Sequence, residues 1–225
     1  MRPPLLHSRK PNRGTPACVV IVLVMWSGVA QSIAEEKPMA EQNGKKPWMF
    51  SEANLPAGFP QPGPIDEVVV KDYPAYRLAK VASSGKENGM FMQLFRHIER
   101  NEIAMTAPVE MSWHAENGRL EKTPETMAFL YAAPTIGRAG GDPKDPQVVV
   151  DDIQPIKVVS IALRGGYDTS TFNRGYTQLQ AWLAGHPEWV ATGEPRTMAY
   201  NSPFVPGFAK VSEVQVSIVR AEAGK

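Results

Sequence analysis

Apolar residues along this chain recur with two different spacings, and the switches between them mark out its elements. Residues 68–70 and 73–81 are rich in β-branched and aromatic side chains and predict strands. Pro74 lacks an N–H, so it belongs at a sheet edge or a bulge. Gly85 and Gly89 bracket a break. Over residues 90–100 the period changes: Phe91, Leu94, Phe95 and Ile98 fall at i, i+3, i+4 and i+7, which is one face of a helix. That face is the expected core contact, with Arg96, Glu99 and Arg100 off it. Residues 103–113 return to strand, Asn117 and Gly118 form a hairpin signal, and residues 126–131 are the returning strand. Residues 133–147 read as a loop, with Pro134, Gly137, Gly140, Gly141, Pro143 and Pro146. The order then repeats. Residues 158–163 predict a strand that Gly165 and Gly166 break. Phe172, Tyr176, Leu179 and Leu183 form a second helical stripe that ends at Gly185. Residues 196–200 are a short strand, 202–207 a loop, and Val214, Val216 and Ile218 alternate with polar residues as a half-buried strand. Strand–helix–strand–strand thus appears twice, with little residue identity between the copies. The expected class is α+β: a twisted, antiparallel, barrel-like sheet from two such units, with two flanking helices.

The first 64 residues share neither period. Arg2, Arg9, Lys10 and Arg13 precede an apolar run over residues 17–26 and small residues up to Ala34. That order predicts a secretory signal over residues 1–34, cleaved after Ala30 or Ala34. The apolar run is short of the roughly 20 residues of a membrane span, so no stable anchor is expected after cleavage. Residues 35–64 carry six prolines and three glycines and predict a linker or extended arm, with Trp48, Met49 and Phe50 as a possible docking cluster. The domain is expected over residues 65–220, with a tail at 221–225. Export changes the chemistry. Losing the four basic leader residues turns a formal charge of +1 into −3, which gives no electrostatic case for a nucleic-acid partner. The one cysteine, Cys18, leaves with the leader, taking disulfides, thiolate ligands and a cysteine nucleophile with it.

Phe91, Leu94, Phe95 and Ile98, followed by Asn101 and then by Ile103, Ala104, Met105, Thr106, Ala107, Pro108 and Val109, resemble the SOUL haem-binding family. Met127 to Leu130, Tyr200 to Pro206, and Ser212 to Val214 match later parts of its pattern in order. The resemblance covers roughly residues 65–219. It implies a twisted barrel of repeated units, haem or another porphyrin as ligand, and a bound face between the first helix and a late loop, here residues 90–100 and 201–208. Three departures stand out. His97 replaces a customary Tyr, Glu102 replaces a customary Lys in a shortened loop, and residues 65–96 hold no His to act as the axial ligand assigned in some animal members.

A haem is a flat apolar plate with two carboxylates on one edge. Phe91, Met92 and Phe95 with Phe204 and Phe208 can supply the slot, and Arg96 and Lys210 the cations for the propionates. For iron, His97 is the nearest nitrogen and Met92 a weaker option. Yet His97 lies about 200° around the helix from Phe95, so the residue reads more simply as solvent-facing. Met92 lies off the apolar stripe. The Met105–Pro108 run reads as architecture, with Pro108 setting a strand edge. The expected function is a non-covalent tetrapyrrole carrier or buffer with no chemistry of its own. A module for another apolar small molecule and a small-molecule hydrolase are the alternatives. No G-x-S-x-G, H-E-x-x-H or phosphate-loop motif is present.

Overall fold

The computed structural model describes residues 53–83, 87–116, 119–120 and 123–221. The leader, the arm up to residue 52 with its Trp48–Phe50 cluster, Gly85, the Asn117–Gly118 turn and the last four residues lie outside the described residues.

Eleven strands and two helices follow in chain order: β1 (Val68–Tyr73), β2 (Tyr76–Ala82), α1 (Glu87–Arg100), β3 (Val109–Ser112), β4 (Ala115–Glu116), β5 (Arg119–Leu120), β6 (Thr126–Leu130), β7 (Gly140–Asp142), β8 (Asp145–Ile153), β9 (Ile156–Arg164), α2 (Thr169–Ala184), β10 (Trp189–Ala199) and β11 (Val211–Arg220). β4 and β5 pair with each other, Ala115 opposite Leu120 and Glu116 opposite Arg119. The other nine form one antiparallel sheet in the order β1-β9-β11-β10-β3-β6-β2-β8-β7.

That order is nearly palindromic. The units β2–α1–β3–β6 and β9–α2–β10–β11 each place their last strand between the other two, and they join where β3 pairs with β10. β1 precedes the first unit but pairs with β9 of the second; β8 precedes the second unit but pairs with β2 of the first. Only residues 74 and 75 link β1 to β2, although six places separate them in the sheet. In a flat sheet that gap would be about 29 Å, whereas the link reaches about 10 Å. The sheet must therefore curl until its ends approach. It is barrel-like, but no ladder joins β1 to β2, so the expected barrel stays open.

Both helices lie on the outer face. α2 covers Val159, Ile161, Leu163, Val214 and Val216 with Phe172 and Leu179. Gly175 is required there, because a Cβ would sit 2.7 Å from Leu163 Cδ1. Asp168 caps α2 by accepting from Thr171 N–H at 2.9 Å, and Gly185 ends it as expected. α1 packs Met90, Leu94 and Ile98 on Ala79, Val81, Phe129, Val148 and Val150. The inner face is filled by the protein's own side chains. Phe59 stands edge-on to Tyr73 and Tyr76, at 4.9 and 5.1 Å between centroids, over Leu78, Leu130 and Val158. The end of the Pro-rich segment is thus part of the core. Beside it runs a buried polar chain. Glu213 pairs with Lys71 and accepts from Gly63 N–H (2.6 Å) and Tyr200 O–H (2.8 Å), and Arg196 joins Gln215, Tyr76 and Glu110.

Three local expectations are corrected. Residues 103–108 are not strand: β3 starts only at Val109, after Pro108, and Thr106 Oγ1 donates to Leu130 O (2.6 Å), which ties the segment across to β6. The span read as loop over 133–147 contains β7 and the start of β8, which pair across a turn at Pro143 and Lys144 that Asp142 Oδ1 closes by accepting from Lys144 N–H. β10 is eleven residues long, its first half set off by a bulge at Gly193 with φ 74°.

Candidate functional site

α1 is the element that positions most of the candidate residues. Its inward stripe is rotated from the expected one: Met90, Leu94, His97 and Ile98 are buried, Phe91 is half-buried, and Phe95 is exposed. One flank carries Phe91 and Phe95, stacked at 6.3 Å and 11°. Phe91 meets Phe129 of β6 at 5.1 Å, on the first unit's side of the seam where β3 pairs with β10. Met92 and Phe95 are 43% and 40% exposed. Arg96 is exposed and pairs with no acid among the described residues.

Across the seam lies the connection from β10 to β11. Phe204 is 94% and Phe208 81% exposed, and neither ring pairs with another aromatic among the described residues. The base of this segment is rigid. Tyr167 O–H donates to Asn201 O (3.0 Å), Asn201 N–H donates back to the Tyr167 oxygen (2.8 Å), and Asn201 Oδ1 accepts from Val211 N–H (2.7 Å). Lys210 Nζ sits over the Tyr167 ring at 4.9 Å. Tyr167 and Ala199 belong to the same apolar cluster as Phe91 and Leu94. The connection is thus tied, through Asn201 and Tyr167, to the cluster that holds α1. Phe204, Phe208 and Arg96 are exposed and Lys210 is half-buried.

His97 is 4% exposed rather than solvent-facing. Its Nδ1 is 2.5 Å from Asp142 Oδ2 and its Nε2 2.7 Å from the Tyr131 hydroxyl. With both nitrogens engaged, no lone pair is free for iron, and the axial assignment is withdrawn. Asp142 also accepts from Arg100 (2.7 Å) and from Lys144 N–H (2.7 Å). Burial alone would raise the Asp142 carboxyl, but these donors outweigh it and hold the group well below the usual carboxylate range. Burial, followed by the Asp142 charge, pushes the Tyr131 phenol up to about 12. This cluster was missed in the sequence because Asp142 lies in a presumed loop 45 residues from His97.

The residues fit a porphyrin by its faces and edge: aromatic rings and a thioether for the plate, cations for the propionates. They do not offer a histidine to the metal. Among the described residues no three His, Cys, Asp or Glu side chains converge as a metal site.

Comparisons with known proteins agree with this frame. No curated protein matches the chain. The fold is similar to that of the EcmrR chain in a DNA complex, with a TM-score of 0.52 and 16% identity over 69% of this chain; the match spans 58% of that longer chain. It is also similar to a hydrolase from Listeria innocua, with a TM-score of 0.50 and 10% identity over 70% of this chain and 94% of that one. At such identities the likeness is one of fold alone. The model of the SOUL heme-binding protein family matches residues 63–217, from the last turn of the arm to near the end of β11. This chain belongs to the SOUL heme-binding protein family, with haem or another porphyrin as its suspected ligand.

Proposed function

We propose that this protein is exported and holds a tetrapyrrole non-covalently in the outer cleft between α1 and residues 201–210, as a carrier or buffer without chemistry of its own. One observation carries the reading: Met92 and Phe95 on α1, and Phe204 and Phe208 on a loop that Tyr167 of α1's cluster holds through Asn201, leave apolar surface in water. Exposed phenylalanines this complete gain nothing for folding, and grouped apolar exposure marks an interaction site. The alternative cavity, inside the curled sheet, is packed shut by Phe59, Tyr73 and Tyr76. Arg96 and Lys210 suit propionates at the rim. Bound haem would supply redox-active iron; the protein residues would grip its ring and carboxylates. Export rests on the basic, apolar and small-residue order of residues 1–34.

Since recognition is by the ring rather than the metal, haemin and metal-free protoporphyrin should bind with similar affinity. Absorbance titration of the purified protein measures both. Replacing Phe204 and Phe208 together by Ser should weaken both by at least tenfold, about 1.4 kcal/mol, at an unchanged melting temperature. A haemin affinity far above that of protoporphyrin, lost in Met92→Ala, would overturn recognition without the metal. A module for a different apolar molecule would show neither porphyrin saturating.

A further inference from the structure

A second, smaller hollow opens on the other flank of α1. Its volume is about 190 Å³, and Ile103, Ile136 and Val150 give it an apolar wall. A porphyrin pocket belongs to the class of several hundred Å³, so this space is too small for the family's ligand. A dry 150 Å³ cavity, by contrast, holds a benzene ring. The hollow is the size of one ring or a short branched chain.

Its polar groups are fixed in advance. Asp142 is fully engaged by His97, Arg100 and Lys144 N–H, so it is a support and not a free ligand group. Through His97 it orients the Tyr131 hydroxyl, which lines the hollow. A phenolic oxygen both donates and accepts, and His97 uses one of those roles, so one remains for an occupant. Arg138 lines the rim, exposed, with no acid partner among the described residues. The rim loop is itself held: Arg77 donates to Ile136 O (3.0 Å) and Gly137 O (2.7 Å) while paired to Asp152. A rigid loop presenting an unpaired guanidinium beside an apolar pocket with one buried hydroxyl is complementary to a small carboxylate carrying a single apolar ring.

We infer that the hollow between α1 and the β7–β8 hairpin is a binding site for a small monocyclic carboxylate, separate from the tetrapyrrole cleft, with Arg138 on the carboxylate and Tyr131 on a second polar atom or the same group. The probe is sodium benzoate, with benzyl alcohol as its uncharged counterpart, titrated into the ¹⁵N-labelled purified protein and followed by amide shifts. Benzoate should saturate, moving the amides of Gly137, Gly140 and Gly141 first. Arg138→Ala, on an exposed loop where folding is not at stake, should weaken benzoate about tenfold and leave benzyl alcohol unchanged. Tyr131→Phe should weaken both probes. Saturating protoporphyrin should not displace benzoate. The inference fails if benzoate shifts stay linear or scatter over the surface, if Arg138→Ala binds benzoate like the parent protein, or if protoporphyrin competes. The benzoate titration and the Arg138 and Tyr131 variants are read without porphyrin, so they stand or fall independently of the porphyrin reading; only the competition arm draws on it.

Discussion

At His97 two contacts decide what the ring can do. A histidine two residues beyond an exposed phenylalanine would ordinarily sit in solvent, but Asp142 and Tyr131 each take one nitrogen. Removing the ring in His97→Ala leaves the Tyr131 hydroxyl unpaired and takes one donor from a buried carboxylate. The expected loss is about 3 kcal/mol in urea unfolding, with haemin and protoporphyrin titrations unchanged. A fall in haemin affinity alone would restore His97 as an iron ligand. The Asp142 carboxyl adds a sign for pH. Its native value lies below its unfolded one, so its contribution is complete above about pH 4. It is then lost as pH falls toward the native value.

On α1 the apolar residues divide between folding and exposure. Leu94 is fully buried between Met90 and Ile98, whereas Phe95 one step on is stacked on Phe91 with much of its ring in water. Leu94→Ala should cost about 2–5 kcal/mol. Phe95→Ala should cost under about 1 kcal/mol while weakening porphyrin binding; denaturation and absorbance titration on the same two variants separate the roles. Equal destabilisation by both would place Phe95 in the core and remove it from the cleft. The α2 stripe was legible because a helix lying over β9 and β11 buries Phe172 and Leu179 and packs Tyr176 and Leu183 partly against the same cluster. The α1 stripe was read one step off. On its Phe91–Phe95 flank Phe91 is half-buried and Phe95 exposed, and spacing alone does not show what stands opposite. β8 escaped for a similar reason: Val148–Val150 were flanked by the prolines and glycines of an apparent loop, and its pairing partner, β2, lies some 70 residues upstream.

Across the whole molecule, the curl of the sheet buries four tyrosines. Tyr73, Tyr76 and Tyr200 line the polar chain of the inner face, and Tyr131 lies under α1. Burial is the first cause that raises all four phenols. The neutral form is therefore favoured in the folded state. The unfolded chain releases those protons first, near pH 10, so stability should decline as pH rises beyond that point. Tyrosinate absorbance should show these four phenols ionising together with loss of structure by circular dichroism. Their ionisation well before unfolding would contradict a closed inner face.

Local pattern was enough for the two helices, most of the strands, the duplicated order and the family, because each depends on neighbours within a few residues or on motifs that survive as strings. Through the likeness to that family it also nominated Phe204, Phe208, Arg96 and Lys210 for one ligand face, the assignment that the proposed function carries forward. Tertiary structure alone decided that Phe59 and the end of the arm join the core, that the barrel curls without closing, and that His97 belongs to Asp142 and Tyr131 instead of a metal. Each of those outcomes joins residues far apart in sequence, and burial and hydrogen bonding at such distances are set by how the sheet bends, which no single segment encodes.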